Sequence, residues 1–458
     1  MDLGVLSLLP IAVLFILIFT TKRMILALTA ATLTGSILIA KTGFAGEWLS
    51  KIQAAFMEGT IGYLCLMLAL FGILIALLDK SGYVKEFAFW LSKYANSKRK
   101  ALIVTYILGW LIFVDDYLNN MAIATAMKKV CDCHKIPRTL LGYVVNGTAA
   151  PVCIIIPIST WAVFYSGLFE QYDVTVNGSG LSAYIHGLPF LFYAWISLAI
   201  LLLVILGVIP LIGITKKHSL EAIQTGIVCS AEVNADDQEI VSGDFEEIQK
   251  MAQGCKPWNF LLPLAVLIAI TIIVDDVMVA CMGAILVSGI LMLIQKRLTF
   301  IEMFESAWGG VISMITVDCI IVLAMTLVQI NNATGMADFV VSVMEPLLQG
   351  WMIPMITFAF VCVYTYFCGG FWDGSMIFMP IVVPLANALG ADPLLSCCAL
   401  VCAACCGSTI YVCGDAVQIT SRAVDIKPFW QMRASLPYVL IAVILSVIAF
   451  GIAGYVMA

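Results

Sequence analysis

Charge is scarce in this sequence. Asp, Glu, Lys and Arg together make up 11% of the 458 residues, and His occurs only three times. Hydrophobic residues supply 62% of the chain and mean hydropathy is +1.05, far too apolar for a soluble globular protein. The net charge of −6 leaves no basic face for nucleic acid, and no such partner is expected. No run shows the alternating pattern of about ten residues per strand that marks an outer-membrane barrel. The N-terminal "MDLGVLSLLPIAVLFILIFTTKR" lacks a positive leading segment and a small-residue cleavage site, and reads as a retained span. Paired ligand spacings are also missing among the sixteen cysteines. "CDCH" (131–134) and "CCALVCAACC" (397–406) lack the distant second half of a zinc site, so Cys is expected to act as a small packing residue and no cofactor is implied.

What remains is a set of long apolar runs. About 30 Å of hydrocarbon needs roughly 17 to 25 apolar residues in a helix, and ten runs qualify: 4–20, 24–40, 59–78, 138–168, 188–214, 258–274, 277–294, 309–328, 393–421 and 436–456. The expected fold is an all-α polytopic membrane protein with about ten transmembrane helices. Two further segments, 101–128 and 354–388, are interrupted. Basic loops flank the first on both sides, "KYANSKRK" (93–100) and "KKVCDCHKIPR" (128–138). A single crossing would place one of them outside, against the positive-inside rule. A hairpin that enters and returns to one face resolves the conflict. It places 21 of the 23 Lys and Arg, all but Lys41 and Lys51, on the cytoplasmic side.

The halves are related. "MILALTAATLTGSILIA" (24–40) aligns without gaps on "VMVACMGAILVSGILML" (277–293), and "FVDD" (113–116) meets "FWDG" (371–374) after a shift of five residues. By charge placement the copies start on opposite faces, giving an inverted repeat with two re-entrant hairpins, the architecture of secondary transporters. The expected organisation is a first span and turn (1–23), a first repeat (24–168), a connecting span (169–214), an acidic cytoplasmic loop (215–257), a linking span (258–276), a second repeat (277–433) and a final span (434–458).

Carboxylates inside apolar runs cost about 2.5 to 3.5 kcal/mol each on insertion scales, so they mark candidate sites. Asp115 and Asp116 stand first. Adjacent carboxylates in a partly dehydrated site resist double ionisation and can trade a proton for a cation. Asn119 and Asn120 share the helix face of Asp116 and offer neutral oxygens to a hard cation such as Na⁺. The alternative role for these residues is capping of the returning helix. Asp373, in "FCGGFWDGSM", is a second coordinating carboxylate or an exposed turn residue. In "NGTAAPVCIIIPIST" (146–160), Pro151 and Pro157 interrupt a span and free carbonyls near the Thr148, Ser159 and Thr160 hydroxyls. "CCGSTIYVCGDAVQIT" (405–420) provides Ser408, Thr409 and Asp415 at a similar place. Asp318 lies alone in "MITVDCIIVLAM", whereas Asp275 and Asp276 read as a solvated external turn.

With these segments placed, residues 113–161, from "FVDDYLNNM" to "IIIPISTW", resemble the Asp-Asp-Tyr hairpin and the Thr-Ala-Ala-Pro and Pro-Ile-Ser-Thr-Trp broken helix of the NhaC family of sodium/proton antiporters. "MRASLPYVL" (432–440) is similar to that family's entry into the final span. The resemblance implies a carrier driven by Na⁺ and H⁺ gradients, with Asp115, Asp116, Ser159 and Thr160 as the matching motif positions. Relatives also include carriers of organic acids and amino acids. Two segments depart: "GFWDG" stands where the family has Thr-Ser-Trp-Gly-Thr, and "IYVCGD" keeps only the Asp, Asp415, of Cys-Ser-Pro-Ile-Ser-Asp.

The expected function is exchange of cytoplasmic Na⁺ for external H⁺ in the plasma (inner) membrane. The alternative is a Na⁺- or H⁺-coupled carrier of a small organic acid or amino acid. Expected partners are membrane lipid, a monovalent cation and the proton, with a small organic solute on the alternative reading; a homodimer stays open. An intramembrane aspartyl protease pairing Asp116 with Asp415 is disfavoured, since Val412 replaces the first Gly of its Gly-x-Gly-Asp setting, and no enzyme activity is expected. No repeated carbonyl filter marks a channel.

Overall fold

The computed structural model describes residues 3–21, 23–57, 59–230, 232–234, 255–274, 276–344, 346, 348–369 and 371–457; the side chains of 19, 59, 60, 337, 338, 344, 368, 371 and 373 lie outside that description. Among the described residues there is no strand. The first half contains α1 (Leu9–Thr21), α2 (Met24–Ala40), α3 (Phe44–Met57), α4 (Gly59–Lys80), α5 (Tyr83–Ser92), α6 (Lys98–Leu111), α7 (Asp116–Cys133), α8 (Arg138–Ile155), α9 (Thr160–Gln171), α10 (Gly180–Gly187) and α11 (Phe192–Leu206). After α12 (Gly213–Thr225), the second half contains α13 (Trp258–Val274), α14 (Val277–Ile294), α15 (Phe300–Thr334), α16 (Met336–Met344), α17 (Ile353–Cys368), α18 (Phe371–Ala388), α19 (Pro393–Ile410), α20 (Asp415–Ala423) and α21 (Pro428–Met457).

Eight described helical stretches are long and apolar enough to cross a bilayer; the bent pair formed by α10 with its 3-10 extension and α11 adds a ninth, and the segments Gly4–Ile18 and Trp258–Val274 are shorter apolar helices. The protein is therefore an all-α polytopic membrane protein. Helix α3, "FAGEWLSKIQAAFM", fills the interval between the expected spans 24–40 and 59–78 and interleaves Glu47 and Lys51 with apolar residues.

Both interrupted segments form hairpins. Chain α6 stops at Leu111, residues 112–115 make the tip, and α7 runs back. The His134 ring lies 2.6 Å from the Ala95 carbonyl, so the far end of α7 returns to the entrance of α6. In the second hairpin Gly369 ends α17 at φ +72°, a conformation that suits glycine, and a side chain there would also collide with the Tyr411 ring. Buried Ile353, at the start of α17, clusters with Leu385 and Ala386, at the end of α18, which closes that hairpin at its base.

The bases of the hairpins lie at opposite ends of α15, whose 35 residues span about 52 Å. Its N-terminal end follows Arg297, which pairs with Glu86 on α5, the helix leading into the first hairpin. Its C-terminal end leads through α16 into α17. The hairpins thus enter from opposite faces. The repeat is also visible in helix starts: Asp116 and Phe371, Arg138 and Pro393, and Thr160 and Asp415 are each separated by 255 residues. This register corrects the sequence alignment of "FVDD" on "FWDG". Asp373 falls opposite Leu118, and Trp372 opposite Tyr117; Asp116 meets Phe371.

The core of the molecule is the pair α8 and α19, which the repeat relates. Every residue of α19 from Leu395 to Ile410 is buried, and α8 is buried throughout except at Gly147. Asn146 Nδ2 donates to the Thr409 carbonyl at 2.9 Å between them. Ala, Gly, Cys, Ser and Thr dominate α19 and recur in α8 at Gly142, Gly147, Thr148, Ala149, Ala150 and Cys153, allowing the close backbone approach that drives helix association in lipid. The cysteines of α19 serve that packing.

Candidate functional site

The site starts from the tip of the first hairpin, where four residues leave helical geometry inside an apolar bundle. Every backbone group there needs an internal partner. Asn119 Nδ2 donates to the carbonyls of Gly109 at 2.9 Å and Ile112 at 2.8 Å. The Cys153 thiol reaches the Phe113 carbonyl at 3.2 Å, and Thr160 N–H donates to the Val114 carbonyl at 3.0 Å. The tip is thereby fastened to the second break, residues 156–159 between α8 and α9.

That break lies later than expected. The helix continues through Pro151 to Ile155, and the interruption contains Pro157. The carbonyls upstream of it are engaged: Cys153 accepts from Ser159 Oγ at 2.5 Å and Ile154 from Tyr184 OH at 2.5 Å. Ser159 Oγ also caps α9 by accepting from Ala162 N–H at 3.1 Å. Hydroxyls expected as ligands are similarly committed to their own helices. Thr148 Oγ1 donates to the Val144 and Val145 carbonyls, Ser408 to Cys405 and Thr409 to Cys406. Each of these hydroxyls spends its proton on a carbonyl of its own helix.

Carboxylates are placed differently. Asp115 Oδ1 caps α7, accepting from the N–H groups of Tyr117 and Leu118 at 3.0 Å each, while Oδ2 accepts from Thr160 Oγ1 at 3.2 Å. The capping alternative is thus real, yet the same side chain lines a cavity of about 420 Å³. Thr160 and Asp415 line it too, together with Tyr117, Gly369 and Trp372 from the hairpins, Leu68 of α4, and Ser313, Met314, Thr316, Val317 and Ile320 near the middle of α15. Asp415, in the first turn of α20, is exposed to this space, and no Lys or Arg is among the described lining residues. Asp116 sits behind the wall, 1% exposed; its Oδ1 accepts from Trp161 Nε1 at 2.9 Å and its Oδ2 has no partner among the described residues. Asn119 Oδ1 and both polar atoms of Asn120 are likewise buried without a partner. Such groups are costly in a native interior and mark places where a charge or ligand completes the bonding.

The structure therefore brings together Asp115, Asp116, Thr160 and Asp415, with Asn119 and Asn120 close behind on α7. It does not bring in Thr148, Pro151, Ser408 or Thr409, and the side chain of Asp373 lies outside the described residues. Asp318 lies within the same stretch of α15 but is not among the described lining residues; it takes a hydrogen bond from Cys65, and its Oδ1 has no partner among the described residues. Asp276 caps α14, accepting from Met278 and Val279 N–H, and Asp275 is outside the described residues. Sequence reasoning passed over Tyr117, Trp161 and Trp372. Trp372 packs 4.7 Å from Trp161 and edge-on to Phe164 at 4.6 Å, joining the second hairpin to α9. The available signal was an aromatic at matching positions of both tips.

The dual role of Asp115 yields a prediction. Asn is as good an N-cap as Asp, whereas Ala forfeits about 1 kcal/mol. Asp115→Ala is expected to lower unfolding stability by about that amount and Asp115→Asn to leave it unchanged, with ion-coupled flux lost in both. Equal destabilisation, measured by thermal unfolding in detergent, would contradict the separation of cap from charge.

The sequence model of the Na⁺/H⁺ antiporter family matches residues 152–455, which include Thr160 and Asp415. An uncharacterized protein of Haemophilus influenzae is 23% identical over 490 aligned positions, covering 98% of this chain and 91% of its own length. Two solved structures share the fold. Neisseria gonorrhoeae MtrF, described as illuminating a class of antimetabolite efflux pumps, matches with a TM-score of 0.61 at 14% identity, over 92% of this chain and 86% of its own. The Alcanivorax borkumensis YdaH transporter, described as having an unusual topology, matches with a TM-score of 0.60 at 12% identity, over 91% and 89%. The family match takes in well over half of the sequence, and the chain belongs to the Na⁺/H⁺ antiporter family.

Proposed function

We propose that this membrane transporter exchanges cytoplasmic Na⁺ for external H⁺ in the plasma membrane, using Asp115 and Asp415 to receive the cation and Asp116 to carry the proton. The observation that carries this reading is the cavity at the meeting point of both hairpin tips, lined by two carboxylates and backed by a third whose Oδ2 is buried and unpartnered. A cation held between carboxylates in a poorly hydrated space competes directly with a proton. That competition is the physical basis of exchange.

Alternating access is supported by what lies on either side. Outward along α4 and α9, a second cavity of about 540 Å³ is lined by Tyr63, Leu64, Met67, Val163, Ser166 and Glu170, with Asp276 at its edge. The two cavities are lined by neighbouring residues of α4 and α9, Met67 and Leu68 on the one, Val163 and Thr160 on the other. Toward the cytoplasm, α7 and α20 run together from the cavity to an ion cluster. There Lys128 Nζ pairs with Asp425 at 2.6 Å, and Arg138 bridges Asp132 at 3.0 Å and Asp425 at 3.1 Å. Residues of the connector seal it: Arg138 N–H donates to the Val228 carbonyl and Lys427 N–H to that of Val233. The expected loop 215–257 is thus partly helix, α12, and partly a strap over this cluster, while 235–254 lie outside the described residues. The arrangement fits a state open outward and closed inward.

The test is proton flux in proteoliposomes with a luminal pH dye. Added external Na⁺ is expected to alkalinise the lumen without any organic solute. No response to Na⁺ or Li⁺, from protein shown to be folded and inserted, would rule the reading out.

A further inference from the structure

The central cavity is much larger than Na⁺ requires. At about 420 Å³ it falls within the range of small-molecule sites, roughly 300 to 1,000 Å³, whereas one water occupies about 30 Å³. Its walls are chemically divided. Asp115 and Asp415 supply negative charge, Thr160, Ser313 and Thr316 supply hydroxyls, and Leu68, Met314, Val317 and Ile320 supply an apolar surface. Tyr117 and Trp372, related by the repeat, add an aromatic side. Trp372 is fixed in place by Trp161 and Phe164. An aromatic surface beside carboxylates, with no Lys or Arg among the described lining residues, suits a cation that carries apolar groups: ring faces attract ammonium charge and bury its methylenes. The same lining opposes a dicarboxylate, whose charge would meet two Asp without a counter-ion.

We infer that the cavity accepts a small organic cation of the alkylammonium class, seated between the Asp115–Asp415 carboxylates and the Tyr117–Trp372 aromatic wall. This inference rests on the reading of those carboxylates as the exchange site. It adds a substrate class in which the organic cation takes the place of Na⁺ and moves against a proton.

Choline is a suitable probe because its quaternary nitrogen bears a permanent charge. It cannot cross the lipid as a neutral base and alkalinise the lumen unaided. The experiment measures the rise in thermal unfolding temperature of the purified full-length protein with choline, Na⁺ or malate, and luminal alkalinisation in proteoliposomes with the same additions. Choline is expected to stabilise the protein and to drive alkalinisation, and Trp372→Ala is expected to weaken its apparent affinity at least tenfold, with Trp372→Phe retaining most of it. A response to Na⁺ with none to choline overturns this inference and leaves Na⁺/H⁺ exchange standing. A response to choline without one to Na⁺ does the reverse. Stabilisation by malate in place of choline, or undiminished choline affinity in a folded Trp372→Ala variant, also overturns it, as does silence toward all three from folded protein.

Discussion

Asp116→Asn is expected to abolish proton-coupled cation flux while the protein remains inserted and folded. The substitution preserves size, and the Asn carbonyl oxygen can still accept from Trp161 Nε1, the bond that Asp116 Oδ1 makes at 2.9 Å. What disappears is the titratable charge. With no group at this position able to take up and release a proton, cation movement loses its coupling to the proton gradient. The buried and unpartnered Oδ2 becomes an amide nitrogen in the same surroundings, so the change in stability is small beside the change in flux. A luminal pH dye reads the flux, and thermal unfolding reads the fold. Normal exchange in this variant would remove Asp116 from the mechanism.

The second large effect is expected at Arg138. Its side chain is 5% exposed and that of Asp132 only 1%, so the pair is held almost wholly out of water. Removing one member of a buried pair leaves the other charge uncompensated and costs roughly 3 to 5 kcal/mol. Arg138→Met is therefore expected to lower the unfolding temperature sharply. The double variant with Asp132→Asn should recover part of the loss, because the stranded charge is gone and only Asp425 and Lys128 retain their own pairing. Additive losses in the two single variants would show that the pair is not coupled, and with it the view of this cluster as the inner seal would fail.

Parts of this arrangement were legible in the amino-acid order for physical reasons. The first hairpin declared itself because Lys and Arg flank it on both sides and Asp and Asn interrupt its apolar run. The packing role of the cysteines in α19 was visible in the run of small residues around them, whereas nothing in the amino-acid order marked α8 and α19 as the central pair. Other parts were silent. Asp115 is both a helix cap and a cavity wall, and the residue type that suits one role suits the other. Thr148 and Ser408 donate to carbonyls three or four residues back and do not line the central cavity, a placement that the amino-acid order does not disclose. The register of the second repeat was misread because Gly370 and Phe371 stand where the first tip has Asp115 and Asp116, leaving Asp373 as the visible but displaced match. Helix α3 was hidden by its mixed polarity. Trp372 was overlooked because an aromatic residue in an apolar segment carries no signal until its neighbours are known.

The most direct test of carboxylate-mediated exchange is uptake of radioactive sodium into proteoliposomes that are acidic inside, compared with vesicles having no pH gradient, for the native protein and Asp116→Asn. The account predicts gradient-stimulated uptake by the native protein and none by the variant. Equal uptake by both proteins, or uptake indifferent to the proton gradient, would contradict it.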